Sequence, residues 1–100
     1  MDWREIGLQL TDALFNWLQI QIVWEARPND RSARDTVLFF EEMLREDHQV
    51  TQLTKKIDQH TYVIEYEQNG EVKSQTFPRG AAEQLLKDIM AEPKYNQSFE

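Results

Sequence analysis

Two histidines each stand beside an aspartate, as Asp47-His48 and Asp58-x-His60. A histidine oriented by a carboxylate is the usual make-up of a general base, and the same residue types ligate metal ions. Neither spacing matches a known site, and both pairs fall where an element should end. A helix C-terminus favours a cation, which gives His48 a plain electrostatic place there. The carboxylates Glu41, Glu42, Glu46 and Asp47 could bind a cation or form an acidic docking face. Their helical spacing also suits a solvated face, and a hydrolytic pair would have to converge in a cleft. With no cysteine there is no thiolate ligand, cysteine nucleophile or disulfide. We therefore assign no catalytic, metal or cofactor residue, and the chain reads as a non-enzyme.

The most informative stretch holds none of these groups. "ALFNWLQIQIVW", Ala13 to Trp24, has no charged residue in a chain of formal net charge −7. It is too short for a bilayer span, which takes about 20 apolar residues, and Asn16, Gln19 and Gln21 interrupt it with amides. From Trp3 the apolar residues recur at spacings of three and four, which predicts one helix over residues 3–25. Trp3, Ile6, Leu10, Ala13, Leu14, Trp17, Leu18 and Trp24 share a side. Phe15, Ile20 and Ile22 widen the apolar arc to roughly 240°, against the ~100° stripe of an ordinary surface helix. Residues 18–24 also alternate as a strand would.

The remaining elements follow from punctuation and period. "RPND" at 27–30 is a turn, since Pro28 cannot continue a helix. A second helix is expected from about Arg31 to Asp47, capped by Asp30 or Ser32, with Ala33, Val37, Phe40, Met43 and Leu44 as its stripe. A turn this short makes the two helices an antiparallel hairpin. "TYVIEYEQNGEVKSQTF" is a β-hairpin about Asn69-Gly70. A three-residue loop would set Tyr66 against Val72 and Glu65 against Lys73. A two-residue loop would set Tyr66 against Lys73 and Glu67 against Val72. Pairing like with like favours the first register. Gln52 to Asp58 should add the first strand of a meander, with Leu53 and Ile57 on one face, unless the second helix runs on past His48. A last helix, about Gly80 to Ala91, should bury Ala82, Leu85, Leu86 and Ile89 and stop before Pro93.

The expected fold is α+β, in the order α-α-β-β-β-α. An N-terminal helical hairpin and a C-terminal helix cover one face of a three-stranded antiparallel meander. Residues 1–93 make one domain and 94–100 a polar tail.

A wide apolar arc needs more than one neighbour. Either the first helix lies between the sheet and the second helix, or it offers an apolar face to another chain. Tryptophan is enriched at interfaces, so Trp3, Phe15, Trp17, Ile20 and Trp24 are the candidate interface. The expected function is a small cytoplasmic protein-interaction or regulatory domain, self-associating through this helix as a homodimer, with the acidic second helix tuning partner choice. No cofactor and no membrane is implied.

The order helix, three strands, helix from Ala33 to Ala91 is similar to that of the double-stranded RNA-binding domain. That family carries a lysine cluster opening its final helix, where this chain has "PRGAAEQ" with Arg79 alone. No third of the chain is basic, so nucleic-acid binding is disfavoured. A weak RNA binder using Lys55, Lys56, Lys73, Arg79 and Lys87, an acidic nucleic-acid mimic, and a small-ligand domain or enzyme are the alternatives.

Overall fold

The computed structural model describes residues 9–92. The first helix, α1, runs Leu10–Ala26, and α2 runs Arg31–His48. Strands β1 (Val50–Ile57), β2 (Thr61–Gln68) and β3 (Glu71–Pro78) follow, then α3 (Arg79–Ala91). The order α-α-β-β-β-α and the α+β class are as expected. Trp3 and Ile6 of the predicted first helix lie outside the described residues. The alternation over 18–24 loses to the helical period, because α1 is unbroken to Ala26.

Helix α2 begins where Asp30 caps it, its carboxylate accepting from the Ala33 amide at 3.0 Å. It ends at Gln49, which takes a left-handed φ of 56° and donates its N–H to the Leu44 carbonyl. That C-cap stops the helix at His48 and lets the strand begin at Val50, two residues before its expected start.

The sheet is an antiparallel meander, β1-β2-β3. Along β2 the residues Tyr62, Ile64 and Tyr66 are buried and their neighbours are not, so one face meets the helices. A bulge between Thr51 and Thr54 carries Gln52 at φ 55°. The extra residue shifts the side-chain phase, so that both Val50 and Leu53 reach the core. Ile57 shares the inward phase of Leu53 but remains 56% exposed at the end of the edge strand.

The hairpin register corrects the sequence expectation. Tyr66 opposes Lys73, Glu67 opposes Val72, and Gln68 opposes Glu71. The loop has two residues, with Asn69 at φ 52° and Gly70 at φ 84°. Two successive left-handed residues make the type I′ turn, whose twist matches that of the paired strands, and this outweighs the preference for like pairs. Glu65 finds its lysine on the other side, pairing with Lys56 of β1 at 3.2 Å.

Helix α1 packs against both α2 and α3 and is the middle member of the helical layer. One hydrophobic cluster takes residues from all six elements, with Leu14, Leu18, Val37, Leu44 and Ile64 wholly enclosed. Helix α3 is less covered than expected. Ala82 is fully buried, whereas Leu85, Leu86 and Ile89 are half-buried. It lies at the side of the layer and has α1 on one flank only.

Candidate binding groove

The central position of α1 decides what its apolar circumference does. From Ala13 to Trp24 every residue is buried or half-buried. The sheet, α2 and α3 together enclose the arc that a single neighbour could not. Trp17 is 4% exposed, and its indole N–H donates to Glu41 Oε2 of α2 at 3.1 Å. It is therefore a core residue tied to a neighbouring helix and does not lie on an open surface, contrary to its place in the candidate interface. Phe15 is half-buried with its ring 5.3 Å from that of Phe77 on β3. Trp24 is likewise half-buried against the core. Trp3 lies outside the described residues.

The amides within the run are partly settled by local bonds. Asn16 Nδ2 donates to the Asp12 carbonyl at 2.9 Å, and Gln21 Nε2 donates to Glu25 Oε2 at 2.9 Å. Gln21 Oε1 is buried and, among the described residues, has no hydrogen-bond donor.

Ile20 is half-buried, like Phe15 and Trp24. With Val23 it forms part of a groove of about 780 Å³ at the α1–α2 turn. Ala33 and Thr36 of α2 and Ile89 of α3 complete the wall, and the turn Arg27–Ser32 forms the rim. The turn is held by its own hydrogen bonds. Arg27 N–H bonds back to the carbonyls of Val23 and Trp24, and the Asp30 amide bonds to the Arg27 carbonyl. Asp30 has both carboxylate oxygens engaged, one by the Ala33 amide and one by Arg27 Nε at 3.2 Å. It is thus held as a structural acceptor and is poorly placed as a base. Pro28, Asn29, Arg31 and Ser32 are exposed along the rim. "RPND" is legible in the sequence as a turn, and the groove above it is not. What signal there is lies in the spacing: arginines at 27 and 31 flank the proline, while Val23 and Ile20 lie one and two turns before Arg27.

A second polar cluster joins the sheet to α3. Tyr62 donates its hydroxyl to Glu83 Oε2 at 2.8 Å, and Arg79 Nε meets the same oxygen at 3.0 Å. Lys55 lies 5.7 Å from the centre of the Tyr62 ring and pairs with Glu25 of α1 at 2.9 Å. Burial and then the Glu83 carboxylate push the Tyr62 hydroxyl up to about 12. The tyrosine hydrogen bond and Arg79 hold Glu83 below the usual carboxylate range. A phenol this hard to ionise is a clasp between elements and a poor acid.

The sequence-level chemistry does not converge. His48 ends α2, its carbonyl accepting from Gln68 Nε2 at 2.8 Å, and His60 lies exposed in the β1–β2 turn. The whole of β1 separates them, roughly 25 Å at about 3.3 Å per residue. Among the described residues no group of three His, Asp or Glu is placed to hold a metal ion. The cations that the RNA-binding alternative would use are mostly engaged within the fold. Lys55, Lys56 and Arg79 are paired with Glu25, Glu65 and Glu83, and Lys73 bonds Gln68 Oε1. No described helix is long and apolar enough to cross a membrane. No family model, curated protein or solved structure matches this chain.

Proposed function

We propose that this is a protein-binding domain whose partner segment lies in the α1–α2 groove. The observation that carries the reading is the groove's make-up. It has an aliphatic wall of Ile20, Val23, Ala33 and Ile89 beneath a rim bearing Arg27 and Arg31, in a chain of net charge −7. Its volume falls within the roughly 300–1,000 Å³ of ordinary ligand sites. Pro28, Asn29, Arg31 and Ser32 of the rim are exposed, which suits a segment laid across a trough better than a molecule sealed within. Arg27 is already paired with Asp30 of the same rim, so it is the exposed Arg31 guanidinium over the aliphatic wall that complements a segment in which apolar side chains alternate with carboxylates. The helix-mediated association expected from sequence is refocused here. Ile20 remains in the binding surface, Trp17 is spent in the core, and the acidic residues of α2 steer the partner's orientation.

Selection from a random peptide library displayed on phage tests this directly. The reading expects enriched peptides to combine aliphatic and acidic residues. They should shift the amide resonances of Ile20, Val23, Thr36 and Ile89, and lose at least tenfold in affinity against Arg31→Glu. Enrichment of basic peptides, or shifts confined to other surfaces, would overturn it.

A further inference from the structure

The sheet has two edges, and they differ. β1 is interrupted by the bulge at Gln52 and carries Lys55 and Lys56 side by side. β3 pairs with β2 without a break from Pro78 opposite Thr61 to Glu71 opposite Gln68. The two-residue turn fixes the phase of that ladder. Gln68 and Glu71 exchange both backbone bonds, so Lys73, Gln75 and Phe77 also bond toward β2. Two further bonds agree. The Arg79 amide continues the ladder to the His60 carbonyl at 2.9 Å, and the Asp58 amide meets the Thr61 carbonyl at 2.8 Å on the other side of β2. The N–H and C=O groups of Val72, Ser74 and Thr76 therefore point outward. Their side chains lie on the face that no described helix covers, where Val72 is 79% exposed.

We propose that β3 pairs antiparallel with β3 of a second copy about a two-fold axis at Ser74, joining the two sheets into one of six strands. This inference is independent of the groove. The register follows from charge and from donor supply. A ladder centred on Lys73 sets two lysines directly opposite each other, which is repulsive. One centred on Gln75 sets Val72 against Pro78, which has no N–H to give. One centred on Val72 retains little overlap. Centred on Ser74, Val72 meets Thr76 of the second copy, Lys73 meets Gln75, and Glu71 meets Phe77, with no like charges opposed. Lys73 is exposed in the single chain, its amine beside Gln68, so it can turn aside as the strands meet.

The chain has no cysteine, which makes cross-linking clean. In this register Ser74→Cys places two thiols directly opposite, at a Cα separation of about 5.5 Å that suits a disulfide. Val72→Cys sets its two thiols four residues apart along the ladder, roughly 13 Å, beyond disulfide reach. Mild oxidation of dilute protein should give a covalent dimer with Ser74→Cys at least ten times faster than with Val72→Cys. Sedimentation of the unmodified protein should show a concentration-dependent monomer–dimer equilibrium, weakened at least tenfold by Ser74→Lys with the circular dichroism unchanged. A sedimenting monomer throughout the micromolar range overturns the proposal, as does equal cross-linking at the two positions.

Discussion

Trp17 shows how one hydrogen bond separates a core residue from an interface residue. Its indole fills the space between α1 and α2, and its single polar atom is satisfied by Glu41. Trp17→Ala should cost about 3–5 kcal/mol in urea unfolding, the range for removing a buried aromatic. A cost under about 1 kcal/mol would mean that the ring is not enclosed. Gln21 makes the opposite case. Its Oε1 is buried without a donor among the described residues, and such an acceptor costs roughly 1–3 kcal/mol. Gln21→Met should therefore raise the unfolding free energy by about 1 kcal/mol, and a loss would show that the amide is satisfied after all. Tyr62 gives a pH dependence of definite sign. Its hydroxyl titrates near 10 when unfolded and about 12 when folded, so its contribution is complete below pH 10 and fades as pH rises toward 12. Glu83, held low, contributes above the ordinary carboxylate range and loses that contribution on acidification. Compared with the parent protein, Tyr62→Phe should flatten the alkaline limb of stability measured between pH 9 and 12. None of these roles was legible in sequence. An aromatic or an amide at helical spacing looks the same whether its partner is another helix or another chain. The Tyr62–Glu83 clasp joins residues on separate elements, with no local pattern to mark it.

At the scale of elements, local chemistry was enough to place most boundaries. Pro28 separates the two helices, Asp30 caps the second, and Asn69-Gly70 turns the hairpin, each acting through its own backbone preference. What failed was an argument from cross-strand partners. Like-with-like pairing is worth a few tenths to about 1 kcal/mol, and the twist of a type I′ turn decides the register first. Gly70 bears that turn at φ 84°, with no atom within 4 Å of where a Cβ would stand. Gly70→Ala should thus cost about 1–2 kcal/mol from backbone strain alone. An unchanged unfolding free energy would argue against a left-handed residue there. The bulge at Gln52 was equally hidden. Leu53 and Ile57 alternate as one face in the sequence, but nothing local marks the extra residue that brings Val50 inward as well.

At the scale of the molecule, the charge-free run from Ala13 to Trp24 is the organising feature. Sequence showed its apolar arc to be too wide for one neighbour, and offered a middle position in the fold or a partner chain as the two solutions. The difference depends on where α3 packs, which no periodicity within α1 can reveal. With α3 on the far flank the arc closes among the described residues of one subunit, and the proposed recognition surfaces move to the groove at the α1–α2 turn and to the edge of β3. Native-state hydrogen exchange, followed over a hundredfold range of protein concentration, measures this most directly. The amides of α1 in the run Ala13–Val23 should exchange only through global unfolding, with the free energy found by urea and without change on dilution. Protection of α1 that falls as the protein is diluted would mean that a second chain covers this helix, and would contradict the account.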